Sequence, residues 1–209
     1  MTRVLTTVEL LDTYLNENNV ILDSRPSAAY NGWPLGGEQK GGHIPGAISF
    51  PADWFSELSE QELNEWLKEK GIERNKTIIV TGYELETIDQ AANNLNDLGF
   101  PTILTHNDGM LDWLADSKRP VDILQKFEHL IPPELLLDLR EGKSPEKDEI
   151  GDYVLAHVNF DNWGDYDEGH IPGAIWLDTL ALESEETWNA RTPEELEEEL
   201  CNHGISKNK

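Results

Sequence analysis

The chain has 209 residues, with 41 acidic against 16 basic side chains, and its formal charge of −25 repels nucleic-acid phosphates and anionic lipid, so neither is an expected partner. Hydrophobic content of 38% and seven Trp suffice for a packed core, which argues against wholesale disorder, and the length suits one large or two small domains. The single cysteine, Cys201, excludes an internal disulfide framework; no apolar run approaches a membrane span and the first residues are not a secretory signal, so the expected setting is the cytoplasm.

In chain order, TTVELLDTYLNENN (6–19) reads as a short helix with Thr available as its cap, and VILDSR (20–25) as a buried strand. PSAAYNGWPLGGEQKGG (26–42) is loop material. In LSEQELNEWLKEKGI (58–72), Leu63, Trp66 and Leu67 fall at helical spacing before the stop at Gly71. TIIVTG (77–82) is a second buried strand, ETIDQAANNLNDLGF (86–100) a helix ending at Gly99, PTILTH (101–106) a third strand, and DGMLDWLADSKRP (108–120) a closing helix. After FEHLIPPELLLDL come a strand in YVLAHVNF (153–160) and a helix in TPEELEEELCNHGI (192–205). Alternating strands and helices predict an α/β fold with a parallel sheet covered on both faces.

GHIPGAI occurs at 42–48 and again at 169–175, and GIERNK (71–76) is echoed by GISKNK (204–209). Two copies of one unit are therefore expected. The second copy stops where the first continues into TIIVTG, its central strand. The expectation is that the chain is a fragment of a longer polypeptide, with a complete domain at 1–122, a linker at 123–132 and an incomplete domain at 133–209. A missing C-terminal segment, or a homo-oligomer, would complete the latter.

LDSR followed by Tyr30, GHIPGA and, downstream, DGMLDWLADSKRPV resembles the rhodanese-like domains of tandem thiosulfate and 3-mercaptopyruvate sulfurtransferases. The resemblance covers most of 5–121 and the front half of a second domain at about 133–209. It implies a rhodanese-like parallel sheet flanked by helices and no cofactor. It also implies sulfane-sulfur transfer through a cysteine persulfide, with a small sulfur donor (thiosulfate or 3-mercaptopyruvate) and a thiophilic acceptor as partners of the full-length parent.

In the family the working cysteine lies in the loop after the central strand, where backbone N–H groups and cations hold a thiolate. The corresponding stretch, Thr81, Gly82, Tyr83, Glu84, Leu85 and Glu86, has no cysteine, and Glu84 and Glu86 put negative charge where an anionic donor would approach. The resemblance also puts a substrate-binding Arg immediately before the motif's aromatic residue; Ala29 stands there. Both departures predict a degenerate, non-catalytic first site.

Asp23, Arg25, His43, Pro45, Gly46 and, in the second copy, His170, Pro172 and Gly173 are read as structural. Arg25 is expected to pair with acidic or backbone neighbours. The histidines are expected to hold a turn rather than a metal, because no Cys or second His sits at ligand spacing. Cys201, after the acidic run EELEEEL, is expected to be a half-buried helical residue, and His157 stands about where the first copy has Asp23. Two functions are open on these residues. One is the leading part of a multi-domain sulfurtransferase whose own first site is dead; the other is a non-catalytic regulatory or interaction module. A related phosphatase activity would need the same missing cysteine.

Overall fold

The computed structural model describes residues 3–143 and 153–206; of the GISKNK stretch, 207–209 lie outside the described residues. The chain forms two compact units, Met1–Pro132 and Pro133–Lys209.

In the first unit, β1 (Arg3–Leu5), β2 (Asn19–Asp23), β3 (Ile48–Ser49), β4 (Thr77–Thr81) and β5 (Ile103–His106) form one sheet in the order β1-β5-β4-β2-β3. Every pairing is parallel. Such a sheet needs cover on both faces, and successive residues of a strand serve opposite faces. In β4, Ile78 and Val80 join Leu22, Phe50, Leu63, Leu67, Ile88 and Leu95 on one face, whereas Ile79 joins Leu5, Leu10, Ile44, Met110 and Trp113 on the other. The first face is covered by α4 (Glu60–Glu69) and α5 (Leu85–Asp97), the second by α1 (Thr7–Leu11) and α6 (Gly109–Ala115), with α2 (Ser27–Asn31) and α3 (Trp54–Glu57) in the connections. The α/β class and parallel sheet are those expected from the alternation of elements.

Several expectations need correction. The first helix ends at Leu11 instead of running to 19, because side chains beyond it compete for the backbone. The Thr13 hydroxyl donates to Glu9 O at 3.0 Å, and the Asn16 and Asn19 side chains bind Asn18 N and Thr13 O. Its start matches the expected signal, with Thr6 and Glu9 forming a capping box. Trp66 lies outside the core at 43% exposure, on the flank of the Leu63–Leu67 stripe and edge-on to Trp54. Strand β1 is an addition to the expected strands, too short to show a pattern in the sequence. After α6 the chain runs back over the 32–43 loop: His43 and Asp122 form an antiparallel bridge, Leu124 N donates to Asn31 O, and Trp33 Nε1 donates to Leu130 O.

In the second unit α7 (Pro133–Glu141), β6 (Ala156–Asn159), α8 (Trp163–Glu168), β7 (Ile175–Asp178) and α9 (Pro193–Asn202) are found, with β6 and β7 paired in parallel. Leu22 faces Ile48 in the first unit, and Ala156 faces Ile175 in the second. Because Ile48 and Ile175 close the two copies of GHIPGAI, His157 occupies the register position of Asp23 and Asn159 that of Arg25. Among the described residues no helix is long and apolar enough to cross a membrane.

Candidate functional site

Ligands of parallel α/β sheets bind beyond the carboxyl ends of the strands, so the end of central strand β4 is the place to look. Thr81 closes β4 opposite Asp23 and is wholly buried. Its carbonyl accepts from both Ser24 N (2.9 Å) and Ser24 Oγ (2.8 Å). Its hydroxyl lies 2.9 Å from His106 Nδ1, and His106 Nε2 lies 2.9 Å from the Thr7 hydroxyl. Burial pushes His106 down to about 4 against the opposing pull of Asp108 and Asp112, so the ring is neutral at pH 7. A hydroxyl beside a neutral imidazole has the outline of a nucleophile and its base. Neither group has a surface to offer a substrate: Thr81 and His106 are both 0% exposed. The chain Thr7–His106–Thr81 ties β5 to β4 and to the start of α1.

Gly82 comes next, its carbonyl accepting from Met110 N at 2.8 Å. A β-carbon on it would lie 2.6 Å from Ser24 Oγ and 3.1 Å from Ile88, so the loop has no room there for a side chain. Tyr83 is half-buried with its ring over the Arg25 guanidinium, 5.1 Å from Cζ to centroid, and its hydroxyl donates to Glu38. Burial first, and the Glu38 hydrogen bond second, push the phenol above its ordinary range. Glu84 is the N-cap of α5 without a side-chain cap bond, and Glu84, Leu85 and Glu86 are exposed.

Arg25 is enclosed, its Nε and Nη2 meeting the Asp23 carboxylate at 2.9 and 2.7 Å while Nη2 also donates to Gly42 O at 2.6 Å. Ala29, in α2, is buried and presents a methyl group at the position expected of a binding Arg; its carbonyl accepts from Gly42 N at 3.1 Å. The structure thus brings Asp23, Arg25, Thr81, Gly82 and Tyr83 together at one strand end. Of the residues that complete this cluster, Ser24 stands within the LDSR string, whereas Thr7 at the start of α1, Glu38 in the 32–43 loop and His106 at the end of β5 are isolated polar residues that carry no signal in the sequence.

The two copies of GHIPGAI make the same small structure. His43 Nδ1 meets Tyr30 O at 2.8 Å with the rings stacked at 3.6 Å; His170 Nδ1 meets Tyr166 O at 2.8 Å with the rings stacked at 3.8 Å. A carbonyl only accepts, so Nδ1 carries the proton in both. Tyr30 and Tyr166 in turn donate their hydroxyls to Ala47 O and Ala174 O. Ala47 N and Ala174 N each close a turn on Ile44 O and Ile171 O at 2.9 Å, with Pro45 and Pro172 second and Gly46 and Gly173 third. The φ angles of 79° and 88° at those glycines are those a type II turn demands. Among the described residues no group of three or more His, Cys, Asp or Glu could hold a metal ion. Cys201 is exposed on α9, not half-buried as expected, since that helix buries no residue.

The model of the rhodanese-like domain matches residues 7–116. The chain is 33% identical over 198 residues to the thiosulfate sulfurtransferase YnjE of Escherichia coli K12, an alignment covering 93% of this chain and 43% of that protein. The crystal structure of an anaerobic ergothioneine biosynthesis enzyme from Chlorobium limicola, bound to its natural substrate trimethyl histidine, superposes with a TM-score of 0.87 at 38% identity, covering 99% of this chain and 48% of that one. A structure of EanB with a cysteine persulfide in a tetrahedral intermediate state with ergothioneine gives 0.85 at 39%, covering 97% and 47%. The chain therefore spans less than half the length of these relatives. Matched across 7–116 and built on the parallel sheet described above, the chain belongs to the rhodanese-like domain family.

Proposed function

We propose that these residues form a non-catalytic rhodanese-like domain, followed by part of a second, within a multi-domain sulfurtransferase. In that enzyme a cysteine elsewhere in the polypeptide takes the sulfane sulfur of thiosulfate or 3-mercaptopyruvate. With thiosulfate, the thiolate forms a new S–S bond as the donor's S–S bond breaks, sulfite leaves, and the persulfide passes its outer sulfur to a thiophilic acceptor. The observation that carries the reading is the loop after β4: Thr81 is sealed against His106, and Gly82 leaves no space for a thiol. The first unit then serves as scaffold for the rest of the enzyme. Two departures further support that role: the methyl group of Ala29, and the exposed carboxylates of Glu84 and Glu86 at the mouth. The lone cysteine fits a reducing, cytoplasmic setting.

The likeness to the Chlorobium limicola enzyme, at 38% identity over 99% of the chain, favours a second reading of the acceptor as an imidazole betaine such as trimethyl histidine. Supplied with thiosulfate and cyanide, or with 3-mercaptopyruvate, the 209-residue protein is expected to form no thiocyanate or pyruvate above a Cys201→Ala control. Turnover abolished by changes in 81–86 would overturn the proposal. A longer polypeptide that carries these residues and a cysteine-bearing loop is expected to turn over, and assays with cyanide and with trimethyl histidine separate the two acceptors.

A further inference from the structure

We infer that a cleft at the amino ends of β4 and β5 binds a carboxylate carried on a flat aromatic body, the ring laid on Arg74 and the charge met by Lys68. The cleft lies beside the residues that lead from α4 into β4, at the opposite end of the sheet from the 81–86 loop. Its ligand therefore does not depend on how that loop is read.

The cleft is open and has a volume of about 710 Å³. Its floor is apolar, made of the buried side chains of Leu67, Ile72 and Phe100, and Arg74 lies across it. The Arg74 guanidinium sits over the Phe100 ring, 5.1 Å from Cζ to centroid. Its Nη2 donates to Asn64 Oδ1 at 2.7 Å and to the Leu98 carbonyl at 2.8 Å. Asn64 is oriented in turn, its Nδ2 donating to Glu60 O at 2.8 Å. Two hydrogen bonds and one ring thus fix the guanidinium before any ligand arrives. Phe100 takes one face of the plane. Arg74 nevertheless stays exposed and lines the cleft, so its other face is open to a second ring.

The charges in the cleft select the same ligand. Arg74 and Lys68 both line it, and among the described residues neither forms an ion pair, in a chain with 41 acidic side chains to 16 basic. Of the two acids in the wall, Glu65 accepts from Gln61 Nε2 at 3.0 Å, and Glu73 is exposed. Two cations without counter-ions attract a carboxylate, and the two glutamates select against a ligand of higher negative charge.

The fold does not require this lining. Counted from the helix stops at Gly71 and Gly204, Leu63, Leu67 and Ile72 recur as Leu196, Leu200 and Ile205, and both helices open on a capping box. Asn64 and Lys68 do not recur: Glu197 and Cys201 stand in their places. The packing residues are kept and the polar residues of the cleft are not. The second unit therefore serves as a control within the same molecule.

The test titrates the 209-residue protein with sodium indole-3-acetate at constant ionic strength, following backbone amide NMR signals. Acetate supplies the charge without the ring, and indole-3-acetamide the ring without the charge. Saturable shifts are expected at Ile72, Glu73, Arg74 and the Arg74 Nε–H, and none at Ile205 or Ser206. Acetate and indole-3-acetamide are each expected to bind about tenfold more weakly. Arg74→Lys keeps the charge and loses the plane, and is expected to weaken binding about tenfold. Lys68→Gln is expected to weaken it about fivefold, and Glu73→Gln to strengthen it about twofold. No saturable shift in the wild type, shifts as large at Ile205 as at Ile72, or a folded Arg74→Lys that binds as tightly as wild type would overturn the inference. If Arg74→Lys does not fold, Lys68→Gln, at an exposed position of α4, decides by the same criterion.

Discussion

The Thr81 hydroxyl and His106 Nδ1 sit 2.9 Å apart at the inner end of the sheet, with no solvent reaching either. Burial holds His106 at about 4, below the ordinary 6.5, so the unfolded chain takes up the proton first. Stability is therefore complete above pH 6.5, falls as the pH drops through 6.5 toward 4, and levels off below about 4. A shift of that size is worth ~3 kcal/mol over the full window. Urea unfolding at pH 7 and pH 4.5 is expected to show wild type losing about 2–3 kcal/mol more than His106→Gln, in which carboxylate effects are shared.

Gly82 and Ser24 define the second prediction. Gly82→Ala drives a β-carbon to 2.6 Å from Ser24 Oγ and is expected to cost roughly 1–3 kcal/mol. Ser24→Ala removes the obstructing atom, so the double variant is expected to be more stable than the sum of the singles predicts. A double-mutant cycle by chemical denaturation measures the coupling, and strict additivity would show that the backbone yields instead. A cysteine at 82 meets the same obstacle, and Thr81→Cys is expected to resist iodoacetamide in the folded protein.

The enclosed Asp23–Arg25 pair predicts an asymmetry. Asp23→Asn or Arg25→Met alone leaves one charge buried without its partner and is expected to cost about 3–5 kcal/mol. Replacing both with apolar residues is expected to cost less than either single change. Thermal unfolding of the three variants checks the order.

Protection against hydrogen exchange is expected to differ between the units. β4 is flanked by β2 and β5 and buried on both faces, whereas among the described residues β6 pairs with β7 alone and Val158 in it is 50% exposed. Amides of 78–80 should exchange orders of magnitude more slowly than those of 156–159. Equal protection in a monomer would show that the second unit closes its sheet by other means.

The sheet of the first unit was legible because its strands are short apolar runs between clear helix stops at Gly71 and Gly99, and because Ile88, Ala91, Ala92 and Leu95 repeat at helical spacing. The end of the first helix was not, since whether Asn16 and Asn19 turn back on the backbone depends on contacts no periodicity encodes. That the 81–86 loop holds no cysteine is plain from the sequence. The long-range partners around it are not: Glu38 reaches Tyr83 from 45 positions away, and Thr7 reaches His106 from 99.

The His–Tyr clasp has one more consequence. Tyr30 and His43 are 13 positions apart, whereas Tyr166 and His170 are only 4 apart, yet both pairs close at 2.8 Å with parallel rings. The clasp pins both ends of the intervening stretch, so lengthening it adds only ~1 kcal/mol of loop-closure entropy and leaves the sheet undisturbed. It works as a grafting joint: whatever is spliced between its jaws projects from the scaffold without retuning it. The Trp33–Gly41 stretch that carries Glu38 is such a splice, and an unrelated peptide set between Tyr166 and His170 should be borne just as well.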